Sequence, residues 1–261
     1  TFQTPEKIFL VLDYMCGGDM FTRIRDENRF SEESVKLYAA EIALGLGHLH
    51  KLGYVYRDLK LENILFDSQG HIKITDFGYA KGNLQNADST TSTFCGTTEY
   101  LAPEIILQQA YTKVVDWWSL GVLIYEMLVG KPPFFDKNPQ KTYRYIVNQE
   151  PSFPSNVSPL AKDLIQKLLI KDPSKRLGNG EDDVEAIKQH PFFQDIKWDD
   201  VLQKKIEPQW KPALTSDIDT SNFDPTFTNE KVSISFENNT ICTFTQNQFE
   251  NFSMTKTYLN E

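Results

Sequence analysis

Cysteine is scarce in this sequence, and its spacing argues against two kinds of site. The three cysteines, Cys16, Cys95 and Cys242, are far apart and form no C-x-x-C pair. An odd number of widely spaced cysteines indicates neither a disulfide framework nor a zinc site. A reducing, cytosolic setting therefore fits the cysteine usage best.

Basic residues and long apolar runs are also in short supply. Lysine and arginine number 27 against 36 aspartate and glutamate residues, which gives a formal net charge of -9 at pH 7. Nucleic-acid binding needs a basic surface, so we expect basic protein partners instead. We expect no membrane-spanning segment and no leader peptide. The 40% of residues that are hydrophobic suffice for one sizeable core.

Two short apolar runs in the first third of the chain predict a β-hairpin. Residues 64–66 and 72–74 are β-prone, and the turn-forming residues 67–70 lie between them. Polar residues flank both runs, and they are Asp58, Asn63 and Asp76. We therefore expect these side chains to converge on one ligand at the end of the hairpin.

Helical periodicity marks three further segments. A helix is predicted from about Ser31, a plausible N-cap, because apolar residues follow at three- and four-residue spacing. That apolar stripe consists of Val35, Tyr38, Ile42, Leu46 and Leu49. Residues 116–129 are apolar nearly all round, which predicts a helix buried at the centre of its domain. Residues 159–177 predict a more amphipathic helix that Pro173 stops.

The remaining segments are expected to be extended or irregular. Ile8–Tyr14 predicts a strand that runs into a linker at Gly17-Gly18. Residues 86–100 are rich in serine and threonine, and their length predicts a mobile functional loop. After about Trp198 the chain becomes polar with isolated aromatic clusters, which predicts a wrapping tail and no second core.

Three motifs occur in the order and with the separations of the protein-kinase catalytic set. They are Arg57-Asp58-Leu59-Lys60 with Asn63, then Asp76-Phe77-Gly78, then Ala102-Pro103-Glu104. Each is weak alone, but all three in order are specific. The sequence resembles serine/threonine protein kinases of the AGC group. From Lys7 to its end it is most similar to protein kinase B and its serum-regulated relatives, with protein kinase A nearby. The stretches DWWSLGVLIYEM, KPPFF, FCGTTEYLAPE, RLG and FENFSM also carry the match.

The resemblance implies an α+β protein-kinase fold with a mainly helical large lobe. It assigns residues 1–14 to a small-lobe remnant with the hinge strand, 15–197 to the large lobe, and 198–261 to the AGC tail with its turn and hydrophobic motifs. No G-x-G-x-x-G and no V-A-I-K precedes Leu12. We expect a partial view of a longer kinase, with a truncated gene product as the alternative. For these 261 residues alone we expect negligible activity.

The resemblance also implies ATP and Mg²⁺ as cofactors and assigns the catalytic roles. Phosphoryl transfer depends on positioning and on neutralising phosphate charge. Asp58 would take the substrate hydroxyl and its proton, and Lys60 would bind the travelling phosphoryl group. Asn63 and Asp76 would be hard oxygen ligands for Mg²⁺.

Further roles are implied for nucleotide binding and for support of the site. Leu12 would be the gatekeeper, and the backbone of Asp13 and Met15 would contact adenine at the hinge. Asp19 would lie near the ribose. Leu65 would form the floor of the base pocket, and Phe223 would be the tail aromatic at its rim. Structural roles are implied for Arg57, Phe77, Glu104, Asp116 and Arg176. In particular, Asp116 would hold the backbone of Arg57-Asp58, and Glu104 would pair with Arg176.

Acidic residues in the implied substrate groove favour arginine-directed substrates. Asp19, Glu62 and Glu126 would face arginines upstream of the phosphorylated residue, since arginine prefers bidentate carboxylates. We predict R-x-R-x-x-S/T substrates, and a generic acidic surface is the alternative. Thr97 would contact Asp58 and Lys60, which favours serine and threonine over tyrosine.

Regulation by phosphorylation is implied as well. Kinases with an arginine before the catalytic aspartate, here Arg57, are typically switched by loop phosphorylation. Thr93 is the predicted site for an upstream activating kinase, and its serine and threonine neighbours are the alternatives. Ser235 and Ser253 match the turn-motif and hydrophobic-motif sites, although Phe236 and Met254 depart from the pattern.

Two classes of function stay open from the sequence. In the first, the parent protein is an active kinase, monomeric and cytoplasmic, and reaches the plasma membrane only through a domain outside this chain. In the second, the chain is a noncatalytic pseudokinase or scaffold module that binds basic peptides.

Overall fold

The computed structural model describes residues 1–3, 7–84 and 89–231. The predicted phosphorylation sites Ser235 and Ser253 lie outside these residues. The described residues fall into two compact units, of which one lies within Met15–Asp224 and the other contains residues 1–3, 7–14 and 225–231. The predicted domain boundaries after residues 14 and 197 remain predictions.

Helices dominate the described residues. In chain order they are α1 (Met20–Glu27), α2 (Glu32–Lys51), α3 (Pro103–Ile106), α4 (Val115–Val129), α5 (Pro139–Asn148), α6 (Pro159–Leu168), α7 (Asp183–Lys188), α8 (Trp198–Leu202) and α9 (Pro225–Thr228). The strands are β1 (Phe2–Gln3), β2 (Ile8–Phe9), β3 (Ile64–Phe66) and β4 (Ile72–Ile74). None of the helices in this part of the chain has the length and apolar composition that crossing a bilayer requires.

The smaller unit contains a short antiparallel sheet. Strands β1 and β2 pair with Phe2 opposite Phe9, and the two rings stack with their centroids 4.6 Å apart. The prediction of a strand over Ile8–Tyr14 is wrong in length, because only Ile8–Phe9 is a strand. No strand among the described residues pairs with residues 10–14, and a strand needs a partner for its backbone groups.

The core of the larger unit is built on α2 and α4, as predicted. Ser31 caps α2, since its hydroxyl accepts a hydrogen bond from the Ser34 N–H at 3.1 Å. The apolar stripe of α2 faces inward, and α4 is buried on nearly every side. Helix α2 packs against β4 of the hairpin, and α4 packs against α2.

Helix α6 ends earlier than predicted, at Leu168 and not at Pro173. The Lys167 carbonyl, which a continuing helix would use, accepts a hydrogen bond from the Leu177 N–H at 3.1 Å. Pro173 instead begins a separate short turn, Pro173–Lys175, which the Asp172 side chain caps. A long-range contact thus sets this helix end.

The predicted hairpin is confirmed, but the predicted linker before it is wrong. Strands β3 and β4 pair antiparallel with Ile64 opposite Ile74. Gly17 and Gly18 run alongside β3, since the Gly17 N–H donates to Phe66 O at 3.0 Å and the Phe66 N–H donates to Gly18 O at 2.9 Å. A Cβ on Gly17 would lie 2.6 Å from the Phe66 Cβ, so this close approach requires glycine.

Residues 203–224 pack over the rest of the larger unit, as predicted for the first part of the tail. The Trp210 ring meets Phe66 with centroids 5.2 Å apart, and the Arg23 guanidinium lies 3.9 Å from the Trp210 centroid. Farther along, the Asn222 side-chain amide donates to Cys16 O at 3.0 Å. These contacts hold the tail against α1 and the hairpin.

Candidate functional site

The hairpin register brings Asn63 and Asp76 to the same end of the sheet. Because Ile64 pairs with Ile74, Asn63 faces Thr75, whose N–H donates to Asn63 O at 3.0 Å. Asp76 follows directly and has a left-handed backbone with a φ of 55°, which aspartate tolerates better than most residues. Its Oδ1 accepts a hydrogen bond from the Gly78 N–H at 3.0 Å, and the residue is exposed.

Asp58 lies at the centre of a connected group of polar side chains. It is only 3% exposed. The Asn63 amide nitrogen donates to Asp58 O at 2.8 Å and to Asp58 Oδ2 at 2.9 Å, while Lys60 Nζ lies 3.1 Å from the same Oδ2. The Thr97 hydroxyl donates to Asp58 Oδ1 at 3.2 Å and accepts from Lys60 Nζ at 3.2 Å. These contacts fix the direction of the carboxylate.

Asp116 anchors the backbone that precedes Asp58. It is fully buried and accepts hydrogen bonds from the N–H groups of Tyr56 and Arg57, each at 2.8 Å. The contact is one residue earlier than the predicted Arg57-Asp58 pair. Arg57 has a φ of 70°, and its amide contact with Asp116 supports this strained conformation.

His50, which the sequence reasoning missed, links Asp116 to Asp183. Its Nε2 lies 2.9 Å from Asp116 Oδ2, and its Nδ1 lies 3.0 Å from Asp183 Oδ1. Burial alone lowers the pKa of His50, but hydrogen bonds and charge attraction from the two carboxylates outweigh burial and raise it to about 9. The imidazole is therefore a buried cation at neutral pH. Its only signal in the sequence was its place in the last turn of α2.

Arg57 reaches the loop that carries Thr93 through Tyr111, another residue the sequence reasoning missed. Arg57 Nε donates to Tyr79 O at 2.7 Å, and Nη1 donates to the Tyr111 hydroxyl at 3.1 Å. That hydroxyl in turn donates to Thr93 O at 2.7 Å. Thr93 itself is exposed. The candidate phosphorylation site is thus two hydrogen bonds from Arg57.

Glu104 and Arg176 form a buried bidentate ion pair. Nη1 lies 2.6 Å from Oε1 and Nη2 lies 2.9 Å from Oε2, and both residues are 2% exposed. Arg176 Nε also donates to Ile170 O at 3.0 Å. The pair joins the start of α3 to the segment that follows α6.

A cavity of about 360 Å³ beside Thr97 gathers acidic side chains. Its charged lining residues are Glu62, Glu99, Glu126 and Lys131. The Tyr100 hydroxyl donates to Glu126 Oε2. Burial, the largest influence, raises the pKa of Glu126 to about 7, and the charges of Glu62 and Glu99 add to this while the Tyr100 hydroxyl opposes it.

Asp19, expected near ribose and a substrate arginine, caps α1. Its Oδ1 accepts from the Thr22 N–H at 2.7 Å and its Oδ2 from the Thr22 hydroxyl at 3.0 Å. It does not line the acidic cavity. The sequence signal for this cap is the aspartate immediately before α1.

The other predicted nucleotide contacts are divided between the two units. Leu12 and Asp13 belong to the smaller unit, so their role in a base pocket remains a prediction. In the larger unit, Asp19 and Leu65 form a backbone bridge. The Asn222 side chain binds Cys16 O, which ties the neighbours of Phe223 and Met15 together.

Phe77, for which a structural role was predicted, meets the Tyr56 ring edge to face, with centroids 5.6 Å apart.

Comparison with known protein families decides the assignment. Residues 1–193 match the family described as Protein kinase domain, and residues 214–254 match the Protein kinase C terminal domain. The chain belongs to the protein kinase family. The second match places it in the AGC group, and the predicted α+β kinase fold is confirmed.

Several curated kinases are similar to this chain. It is 52% identical over 232 residues to Serine/threonine-protein kinase YPK2/YKR2 of Saccharomyces cerevisiae, which covers 88% of this chain and 34% of the relative. It is 50% identical over 230 residues to gad8 of Schizosaccharomyces pombe, with coverages of 88% and 40%. It is 50% identical over 232 residues to Sgk1 of Homo sapiens, with coverages of 89% and 53%. The kinase chain thus spans between about a third and about half of these relatives.

The donor set of this kinase chain fits Mg²⁺. The ion prefers a few protein oxygens together with phosphate oxygens over a complete protein cage. Asp76 offers carboxylate oxygens, and Asn63 turns its amide nitrogen toward Asp58, which leaves its amide oxygen as the ligand end. Within the described residues no cluster of three or more histidine, cysteine, aspartate or glutamate side chains forms a metal cage.

Proposed function

We propose that the protein containing this chain is a serine/threonine kinase that transfers the γ-phosphate of ATP to arginine-rich protein substrates. The observation that carries the proposal is the polar group around Asp58, in which Lys60, Asn63 and Thr97 all contact one buried aspartate. Burying a charged side chain at the edge of an apolar core costs free energy that hydrogen bonds and ion pairs offset, and a connected group of this kind supports a functional role.

Each of these side chains has a role in phosphoryl transfer. Asp58, held by three donors, orients the substrate hydroxyl and accepts its proton. Lys60 offsets the negative charge of the moving phosphoryl group. Mg²⁺ bound by Asn63 and Asp76 supplies charge neutralisation for the ATP phosphates. Thr97 holds the side chains of Asp58 and Lys60 in place through its hydroxyl, which supports a serine or threonine acceptor.

The acidic cavity supports a preference for arginine upstream of the acceptor. Glu62 and Glu126 line the same space as Thr97, which contacts Asp58. An arginine entering there meets carboxylates that suit its planar guanidinium. Asp19 is the weaker candidate for this role, since its oxygens already accept hydrogen bonds from Thr22.

Loop phosphorylation at Thr93 by an upstream kinase is part of the proposal. A phosphate there adds a charge of about −2 beside an arginine that already reaches the loop through Tyr111. A direct Arg57–phosphate pair would tie the loop to the backbone next to Asp58. A monomeric, cytoplasmic protein with membrane recruitment through a separate domain also belongs to the proposal.

Matched peptides test the proposed function. The longest gene product that contains these residues is phosphorylated on its loop and assayed with Mg²⁺-ATP on an R-x-R-x-x-S peptide. The control peptide has alanine in place of both arginines. We expect transfer to the first peptide with a kcat/KM about a hundredfold higher. No transfer to either peptide would contradict the kinase assignment and favour the scaffold reading, whereas equal transfer would contradict only the arginine preference.

A further inference from the structure

A groove beside α5 lies outside the candidate catalytic site. Its volume is about 600 Å³, and three separate segments form it. One is the loop residue Phe94, the next is residues 106–108, and the third is one face of α5. The α5 residues are Gln140, Tyr143, Arg144, Val147 and Asn148. None of the residues assigned above to catalysis, magnesium or substrate lines it.

The groove exposes apolar side chains beside a helix that is anchored to the core. Phe94 and Leu107 are 51% and 52% exposed. The Phe94 ring meets Tyr143 edge to face, with centroids 6.3 Å apart. The opposite face of α5 buries Ile146, which fixes the helix to the core. Grouped apolar side chains that stay exposed on a fixed surface are typical of protein-binding sites.

The charge of the groove is opposite to that of the chain. Arg144 is the only charged lining residue, in a chain whose formal net charge is -9. The side chain of Arg144 is exposed and forms no ion pair with any of the described residues. The acidic cavity, in contrast, is lined by three glutamates, Glu62, Glu99 and Glu126, and by one basic residue, Lys131. The two surfaces therefore select segments of opposite charge.

We propose that this groove docks a segment of a partner protein that presents bulky apolar side chains beside aspartate or glutamate. The apolar side chains pack on Phe94, Leu107 and Tyr143. A carboxylate of the segment pairs with Arg144, whose guanidinium suits bidentate binding. The amides of Gln108, Gln140 and Asn148 are placed to bind the segment backbone. An acidic docking segment does not compete with a basic phosphoacceptor for the acidic cavity.

Direct binding tests the proposal without ATP, so its outcome is independent of catalysis. The probe is a fluorescein-labelled peptide, EEFEELEE, and the matched control has glycine in place of its phenylalanine and leucine. We expect saturable anisotropy changes below about 1 mM for the probe alone. Arg144→Glu and Leu107→Ser each weaken binding by about tenfold. Lys205→Glu, the same charge change at an exposed residue outside the groove and outside α5, alters it by less than about twofold.

Hydrogen exchange locates the bound probe. We expect protection in residues 106–108 and 140–148. Absence of saturable binding, equal binding of the glycine control, or an equal loss in Lys205→Glu would overturn the proposal. Protection confined to residues around the acidic cavity would also overturn it. A concentration-dependent dimer that Arg144→Glu dissociates would show that a second copy, and not a partner segment, occupies the groove.

Discussion

Lys171 is a buried cation whose ammonium lacks an acceptor. Among the described residues, neither its Nζ nor the neighbouring Trp118 Nε1 has a hydrogen-bond partner. The ammonium lies 4.3 Å from the Phe134 centroid and 4.9 Å from the Trp118 centroid. Burial, the largest influence, lowers the pKa of Lys171 to about 8. Cation–π contacts offset only part of the cost of desolvation.

Lys171→Met should therefore stabilise the protein by about 1 kcal/mol at pH 7, because methionine fills the same space without a charge. The folded protein releases the Lys171 proton near pH 8 but the unfolded chain holds it to about 10.5, so the contribution of Lys171 to stability becomes more favourable across that window. The stability advantage of Lys171→Met over the wild type should therefore shrink as the pH rises from about 8 to about 10.5. Denaturant unfolding at several pH values measures both effects. Lys175→Met is the exposed control, and equal or lower stability of Lys171→Met at pH 7 would contradict this account.

Glu126 should make the recognition of arginine depend on pH. Its pKa of about 7 means that the carboxylate is largely protonated at pH 6 and largely ionised at pH 8. The KM for an R-x-R-x-x-S peptide should fall as the pH rises across this range. Glu126→Gln should raise the KM at pH 8 and remove the dependence. The same slope with an alanine-substituted peptide would show that another group is responsible.

At the scale of elements, Asp19 caps the start of α1 and is also a candidate contact for a substrate arginine. Asp19→Ala removes the N-cap and should cost about 1 kcal/mol of folding free energy. Asp19→Asn keeps a capping oxygen, so stability should change by only a few tenths of a kcal/mol. Thermal unfolding with peptide kinetics separates the two roles. If Asp19→Asn is stable yet raises the KM for the arginine peptide, Asp19 also binds substrate; an unchanged KM restricts it to capping.

The contact between α2, α4 and α7 through His50 predicts a second pH effect. The pKa of His50 is raised to about 9 from an ordinary value of 6.5, so its stabilising charge is fully present below pH 6.5. That contribution is lost as the pH rises through 9. The unfolding free energy of the wild type minus that of His50→Gln, measured between pH 6 and 9.5, should decline as the pH rises. The variant should lose about 3 kcal/mol at pH 6.5, and parallel curves would contradict this account.

Local patterns predicted some elements and not others. Helices α2 and α4 and the hairpin were predictable, because their apolar spacing is contained in neighbouring residues. The end of α6 depends on Leu177 binding the Lys167 carbonyl, and the short β2 depends on which strand is present to pair with it. The spacing of residue types along the chain predicts neither the end of α6 nor the length of β2.

The candidate site was also predictable only where local sequence motifs define it. The sequence motifs predicted Asp58, Lys60, Asn63 and Thr97, which the structure brings into contact. The motifs gave no sign of His50, Asp183 or Tyr111, since their roles come from partners more than fifty residues away. The capping role of Asp19 was visible only once α1 was placed.

At the scale of the molecule, two cavities of the larger unit differ in the charge of their lining. The acidic cavity opens beside Thr97, and the groove that carries Arg144 lies beside α5, which packs against the Thr98–Tyr100 turn. This arrangement suits an enzyme that binds basic acceptor sequences and holds acidic partners elsewhere. The central claim is that the polar side chains around Asp58, together with Asp76, catalyse phosphate transfer.

The most direct test is the rate of phosphate transfer from Mg²⁺-ATP to an R-x-R-x-x-S peptide by the longest gene product, compared with its Asp76→Ala variant. Asp195→Ala, which removes an exposed carboxylate remote from the site, is the matched control. We predict that Asp76→Ala lowers kcat at least about a hundredfold while Asp195→Ala matches the wild type. Equal rates for the wild type and Asp76→Ala, or no transfer by the loop-phosphorylated wild type, would contradict the account.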